Sequence, residues 1–204
     1  MVKINNLSIE FKSEVIFKKF SLEIRKGEKI AISGKSGRGK STLLNLLAGF
    51  IPDFSGEVFI DNIRLEPGNI GEIRGLIAWL PQDTSLNFDT VSDLFYAPFG
   101  FAKNKKDIPG KDEISEIFKA FELDESLMSK GIKEISGGQK QRIILASCML
   151  LKKPLVLLDE PTSALDENIK EKVTDYILDK KDITVLAATH DAYWVDNSDK
   201  EIKL

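Results

Sequence analysis

The run Gly34-Lys35-Ser36-Gly37-Arg38-Gly39-Lys40-Ser41 spaces three glycines ahead of a Lys-Ser pair. Glycines let a backbone curl with its N–H groups turned inward around an anion. A helix opening at the end of such a loop adds the positive end of its dipole. Lys40 offers a point charge to the β- and γ-phosphates of a nucleotide, and the Ser41 hydroxyl offers an oxygen to Mg²⁺. The context is the one this chemistry needs. Apolar Lys29-Ile30-Ala31-Ile32-Ser33 reads as a strand leading in, and Ser41 to Ala48 reads as a helix that stops at Gly49.

Two further groups could act on the same phosphates. Leu155-Val156-Leu157-Leu158 is a continuous apolar run followed by Asp159 and Glu160. On a buried parallel strand these acids emerge at the carboxyl end, where ligands bind in such sheets. There Asp159 holds Mg²⁺, and Glu160 is placed to polarise an attacking water. Ser136-Gly137-Gly138-Gln139 precedes an apolar helical stretch, Arg142 to Leu151. By itself it is a Gly-Gly turn with a serine cap. A hydroxyl, two glycines and an amide at a helix start also form a second anion nest. A chain with one nucleotide loop has no use for a second phosphate site of its own. Two chains arranged head to tail do, each nest capping the γ-phosphate held by the other.

The elements that must position these groups follow from pattern. Thr184-Val185-Leu186-Ala187-Ala188 is another buried strand, and Asn168 to Asp179 places Ile169, Val173, Tyr176 and Ile177 on one helical face. Strand, helix, strand is the βαβ unit of an α/β core. Val2 to Phe11, Phe20 to Ile24 and Glu57 to Ile60 alternate and meet turns, predicting an antiparallel N-terminal sheet. Residues 84–133 lack strand signals. Ile114, Ile117, Phe118 and Phe121 fit one face of a helix there, so we read an inserted helical subdomain within a single 204-residue domain. The fold class is α/β: a phosphate-loop core with a mostly parallel sheet, the antiparallel β subdomain and the α-helical insert.

Composition narrows the partners. A net charge of −3 lacks the basic footprint of a nucleic-acid binder. Cys148 is the only cysteine, which excludes an intrachain disulfide, and its apolar surroundings predict a buried, inert thiol. The start of the chain shows no signal peptide, and no apolar run approaches the roughly 20 residues that span a bilayer. We therefore expect an intracellular, soluble chain that reaches a membrane only through a partner. The short tail after His190, ending Glu201 to Leu204, leads us to expect no regulatory domain beyond it.

With these motifs in place the sequence resembles the ATP-binding cassette ATPases over nearly its whole length. Gly34 to Ser41 resembles Walker A, Leu155 to Glu160 Walker B, and Ser136 to Gln139 the cassette signature. Gln82 in Leu80-Pro81-Gln82 resembles the Q-loop, Ser163-Ala164-Leu165-Asp166 the D-loop, and His190 the switch histidine, in the family's order. Phe11 aligns with the aromatic that stacks on adenine. Ile135 stands where the family prefers Leu, and Phe11 replaces the commoner Tyr while keeping a flat apolar face.

The resemblance implies ATP and Mg²⁺ as ligands. It implies nucleotide contacts from Phe11, from Gly34 through Ser41, from Thr42 and Gln82, and from Ser136, Gly137, Gly138, Gln139 and Asp166. It implies metal contacts from Ser41, Gln82 and Asp159, and catalytic roles for Lys40, Glu160 and His190, the chain's only histidine. It further implies a second cassette chain, with a homodimer favoured because Glu160, His190 and the signature are all intact. A separate transmembrane permease would complete an ABC transporter at the inner face of the cell membrane, with no nucleic acid bound and no direct insertion into the membrane. The open alternative is a soluble cassette ATPase of a non-transport assembly, such as metal-cluster assembly or regulation of an envelope complex. The chain has neither the coiled-coil heptads of DNA-repair cassettes nor the two copies of translation-associated ones. Thr90-Val91-Ser92-Asp93-Leu94-Phe95-Tyr96 with Pro98-Phe99 is open to two readings: a patch for the permease, or the insert's own core.

Overall fold

The computed structural model describes residues 1–11, 14–84 and 87–204. Along the chain run β1 (Val2–Phe11), β2 (Glu14–Ile24), β3 (Lys29–Ser33), α1 (Lys40–Leu47), β4 (Ser55–Ile60), β5 (Ile63–Arg64), α2 (Ile70–Gly75) and β6 (Ile77–Leu80). Then come α3 (Val91–Tyr96), α4 (Lys111–Ala120), α5 (Gly137–Leu150), β7 (Leu155–Asp159), α6 (Glu167–Leu178), β8 (Thr184–Ala188), α7 (Ala192–Asn197) and β9 (Lys200–Lys203). Short 3₁₀ turns join α3, α4 and α5.

Two sheets result. One is antiparallel in the order β2-β1-β4-β5, the other parallel in the order β6-β7-β8-β3-β9. The inner parallel strands β3, β7 and β8 are buried on both faces, which is why they read as apolar runs. Their alternate side chains feed two separate cores. Val156, Leu158, Val185, Ala187 and Ala31 face α5, α6 and the helices between β6 and α5. Leu155, Leu157, Leu186, Ala188, Ile30 and Ile32 face α1 and the antiparallel sheet. β6 and β9 flank this sheet although neither was legible as a strand. Each is only four residues long, and β6 runs straight into Pro81.

The Thr90–Phe99 segment is interior. Thr90 closes a capping box with Asp93, and Val91, Leu94, Phe95 and Phe99 are buried. Phe95 meets Phe118 edge to face, with ring centroids 5.7 Å apart, and its carbonyl accepts the buried Ser147 hydroxyl of α5 at 2.7 Å. These side chains share one core with α5, α6 and β7, so they are not free to form a permease patch. Cys148 on α5 is buried too. Its Sγ sits 3.4 Å from the Trp79 carbonyl oxygen, and burial pushes the thiol up to about 12.

Because Phe95 fills the seam between α3, α4 and α5, Phe95→Ala is expected to lower unfolding stability by about 3–5 kcal/mol. Urea denaturation followed by circular dichroism measures this.

Candidate active site at the carboxyl edge of the parallel sheet

Strand register builds the site. Ile32 of β3 and Asp159 of β7 both lie opposite Ala188 of β8, and Leu80 of β6 lies opposite Leu158. The loops that follow these four strands therefore leave from one edge. They carry Gly34–Gly39, Gln82, Glu160 and His190.

Gly34 and Gly39 are fixed by geometry rather than by composition. Gly34 has φ 138° and Gly39 φ 95°, a region that side chains rarely adopt. A Cβ on Gly34 would stand 2.3 Å from the Leu204 carbonyl oxygen. Gly39 is the residue from which α1 starts, so the loop wraps directly onto a helix N-terminus. Lys40 is nearly fully buried. Its ammonium donates to the Gly34 carbonyl at 2.8 Å and lies 3.0 Å from His190 Nε2. Lys40 has no acceptor lone pair, so a hydrogen bond here requires the His190 tautomer that leaves Nε2 unprotonated.

Asp159 ends β7 in a buried position and accepts from the Ser41 hydroxyl. Burial raises its pKa, against smaller opposing effects of Ser41 and Lys40. Glu160 is raised as well. Burial is the main cause, offset in part by His190, whose backbone N–H donates to the carboxylate, and by Lys40. Glu160 Oε1 lies 3.5 Å from His190 Nε2. The Glu160 backbone has φ 50°, left-handed for a non-glycine residue and a cost of order 1–3 kcal/mol that its neighbours must hold in place. Its N–H donates to the Ala188 carbonyl at 2.8 Å, and its own carbonyl accepts from the Gln141 amide at 2.8 Å.

Ser36, Gly37, Gly39, Lys40, Ser41, Thr42, Gln82, Asp159, Glu160, Ser163 and His190 line a common cleft of about 390 Å³. The oxygen donors of Ser41, Asp159 and Gln82 are those a hard cation takes, and they leave room for water and phosphate oxygens, as Mg²⁺ requires. Among the described residues, Gly34, Lys35 and Arg38 of the loop stand outside this lining, as do Phe11, Asp166 and the nest from Ser136 to Gln139. Phe11 ends β1, 43% exposed. Asp166 caps α6 by accepting from the Ile169 N–H at 3.2 Å, and it lines a different cavity of about 530 Å³ with Arg142 and Glu122. Ser136 caps α5. Its hydroxyl accepts from Gln139 N–H at 3.1 Å while Gln139 Oε1 accepts from Ser136 N–H at 2.9 Å. The helix has no acceptor for the first-turn N–H groups of Gly137 and Gly138.

Sequence reasoning missed three polar residues that brace this edge. Gln141 is buried on α5, and Thr162 donates to Asp191 at 2.8 Å, joining the loop after Glu160 to the loop after His190. Asp191 also caps α7 through the Tyr193 N–H at 3.0 Å. Gln141 had a visible signal: it stands one turn before Leu145 and two before Cys148, on the buried side of its helix.

A parallel sheet with a glycine loop, a buried lysine and two acids at its carboxyl edge defines a phosphate-loop nucleoside-triphosphatase. The family model described as "ABC transporter" matches residues 17–163. The chain belongs to the ABC transporter family and has the fold of its ATPase cassettes. It is 35% identical to the energy-coupling factor transporter ATP-binding protein EcfA1 of Mycoplasmopsis synoviae (strain 53), over 94% of this chain and 74% of that protein. It superposes on a dimeric, post-hydrolysis state of the ATP-binding cassette MJ0796 bound to ADP and Pi with a TM-score of 0.84 and 29% identity, covering 100% of this chain and 94% of that one. CbiO1 from Clostridium perfringens, part of the ABC transporter complex cbiONQ, gives 0.80 and 25%, covering 99% and 83%.

The raised carboxyls carry a pH signature. Folding tightens their hold on protons, so ionising them as pH rises above the ordinary carboxylate range removes stability. Glu160→Gln removes one such cost. At neutral pH the variant is expected to melt at a higher temperature than wild type. The gap should close as pH falls toward about 4, where Glu is protonated in the unfolded chain as well. Scanning calorimetry across that range checks it.

Proposed function

We propose that this chain is the energy-supplying subunit of a membrane transporter, binding MgATP, pairing face to face with a second copy of itself, and reopening after hydrolysis. One observation carries the reading: the capped nest at Ser136–Gln139 stands outside the cleft of its own chain, with its glycine N–H groups turned to no partner in the helix. A second chain laid head to tail would bring that nest, with Asp166, onto the γ-phosphate gripped by the first. The dimeric form of MJ0796 with ADP and Pi supports this arrangement.

Within one cleft the roles follow from chemistry. The backbone of Gly34, Lys35, Ser36, Gly37, Arg38 and Gly39 cradles the phosphates, with Thr42 behind them, and Phe11 stacks on the base. Lys40 exchanges the neutral acceptors Gly34 O and His190 Nε2 for charged phosphate oxygens, which make stronger bonds. Ser41, Asp159 and Gln82 would hold Mg²⁺, which supplies neutralisation of charge on the β- and γ-phosphates. Glu160 accepts a proton from the attacking water, and its raised pKa suits that task at neutral pH. His190, released by Lys40, contacts the γ-phosphate and orients the water. Because Glu160, His190 and the nest are all present, both sites of a homodimer are complete.

No helix among the described residues is long and apolar enough to cross a membrane, and we take the permeation path to belong to a separate chain. EcfA1 and the cbiONQ membership of CbiO1 support such a partner and a place at the cytoplasmic face. We take residues 84–133 as the inserted helical subdomain that the partner engages. Its contact surface is Phe101, 70% exposed, together with Phe50, 53% exposed, rather than the buried Thr90–Phe99 segment. Both lie beside α2. Arg74 of α2 sits over the Phe50 ring at 4.7 Å, and Lys103 reaches the Gly71 carbonyl at 2.6 Å.

Two measurements test this. Lys40→Ala should weaken ATP binding at least about 100-fold by isothermal titration, the loss of roughly 3 kcal/mol of charge-assisted contact. Glu160→Gln should bind ATP normally and elute as a dimer on a sizing column with MgATP. A variant that stays monomeric there sinks the face-to-face model.

A further inference from the structure

Gln141 stands one helical turn beyond the nest, on the first buried face of α5, and is 7% exposed. A primary amide at such a position needs partners for both ends. It has them, and both belong to the loop after β7. Nε2 donates to the Glu160 carbonyl at 2.8 Å, and Oε1 accepts from the Ala164 N–H at 2.9 Å. The contact between α5 and that loop is close elsewhere too. A Cβ on Gly138, inside the nest, would meet the Ala164 carbonyl oxygen at 2.8 Å. On its far side the loop is tied to the His190 loop by Thr162–Asp191 and by the Glu160 N–H on the Ala188 carbonyl.

Glu160 therefore sits in a left-handed conformation that its own chemistry disfavours, held from both sides. Of the two clamps, only Gln141 comes from the helix that carries the nest. From this geometry we infer that Gln141 is a positioning residue: it sets the backbone of the Glu160 base and makes that setting depend on the helix whose first turn grips the partner chain's nucleotide. The amide touches neither nucleotide nor water. It acts through Glu160. A shift of α5 when its nest is engaged moves the Gln141 donor, and the Glu160 carbonyl bonded to it moves too. One chain's catalytic carboxylate is thereby set by the occupancy of the other chain's cleft. This inference rests on the proposed role of Glu160 and on head-to-tail pairing.

Two variants separate positioning from simple packing. Gln141→Glu keeps the size and the acceptor for Ala164 but puts an oxygen against the Glu160 carbonyl. Gln141→Met keeps the length and loses both bonds without adding charge. Steady-state ATP hydrolysis by the full chain should show kcat down at least about tenfold for each, as expected when the Glu160 carbonyl loses its tie to α5 and keeps only the Ser163 bonds of its own loop, with KM for MgATP within about twofold of wild type. Placed in the Glu160→Gln background, either variant should leave the ATP concentration for half-maximal dimer formation within about twofold. Wild-type kcat in Gln141→Met overturns the inference. So does a loss of dimer formation in the Glu160→Gln background that matches the loss of kcat, since that is what a scaffold residue would give. The two readings fail separately. If Glu160→Gln alone still hydrolyses ATP at full rate, the assignment of the base is wrong. If Glu160→Gln is inactive while the Gln141 variants run at full rate, only the positioning role is wrong.

Discussion

The arrangement rests on parallel strand register. Evenly spaced ladder bonds bring Ile32, Leu80, Asp159 and Ala188 to a common edge, and every group with phosphate chemistry leaves from there. A slip of one residue in β7 would exchange Leu157 and Leu158 between two cores of different shape and turn Asp159 away from Ser41. The apolar alternation that stabilises the sheet thus also aims the acids. The two requirements meet in Asp159, whose burial raises its pKa while its position fixes it beside the Ser41 hydroxyl.

The site is expensive to maintain, and its costs are distributed. Two carboxyls are desolvated, one lysine is nearly buried, and Glu160 takes a left-handed backbone. Bonds from separate elements meet them: the Ser41 hydroxyl of α1 on Asp159, the Gly34 carbonyl on Lys40, and Gln141 of α5 with Ala188 of β8 on the Glu160 backbone. Local strain persists only where the surroundings over-determine it. The edge meets that condition through elements distant in sequence, which short-range sequence patterns do not reveal.

Much of this was legible in the residues. The glycine loop, the acids after a buried strand and the nest before α5 have spacings that the backbone itself dictates, and each announced its element. The antiparallel sheet and α6 followed from periodicity of two and of 3.6. What stayed hidden was tertiary. β6 and β9 are too short to show a period, and β9 is recognisable only by its pairing with β3. The Thr90–Phe99 segment looked equally suited to surface or core, because aromatic residues serve both and only the partners Phe118 and Ser147 decide. Gln141 was passed over because the apolar helical stretch was taken to start at Arg142, five residues after α5 begins. Family membership, carried by the match over residues 17–163, could not have supplied these contacts.

The deep seat of Cys148 has a practical corollary. Only the thiolate reacts with maleimides or oxidants, and burial pushes this thiol up to about 12, which keeps it protonated at neutral pH. Being also shielded by α5 and β6, it is silent toward such reagents while the fold is intact. A cysteine introduced on any exposed position becomes the sole site for a fluorophore or spin label. The native background needs no alteration, and reactivity at Cys148 itself becomes a chemical clock for unfolding.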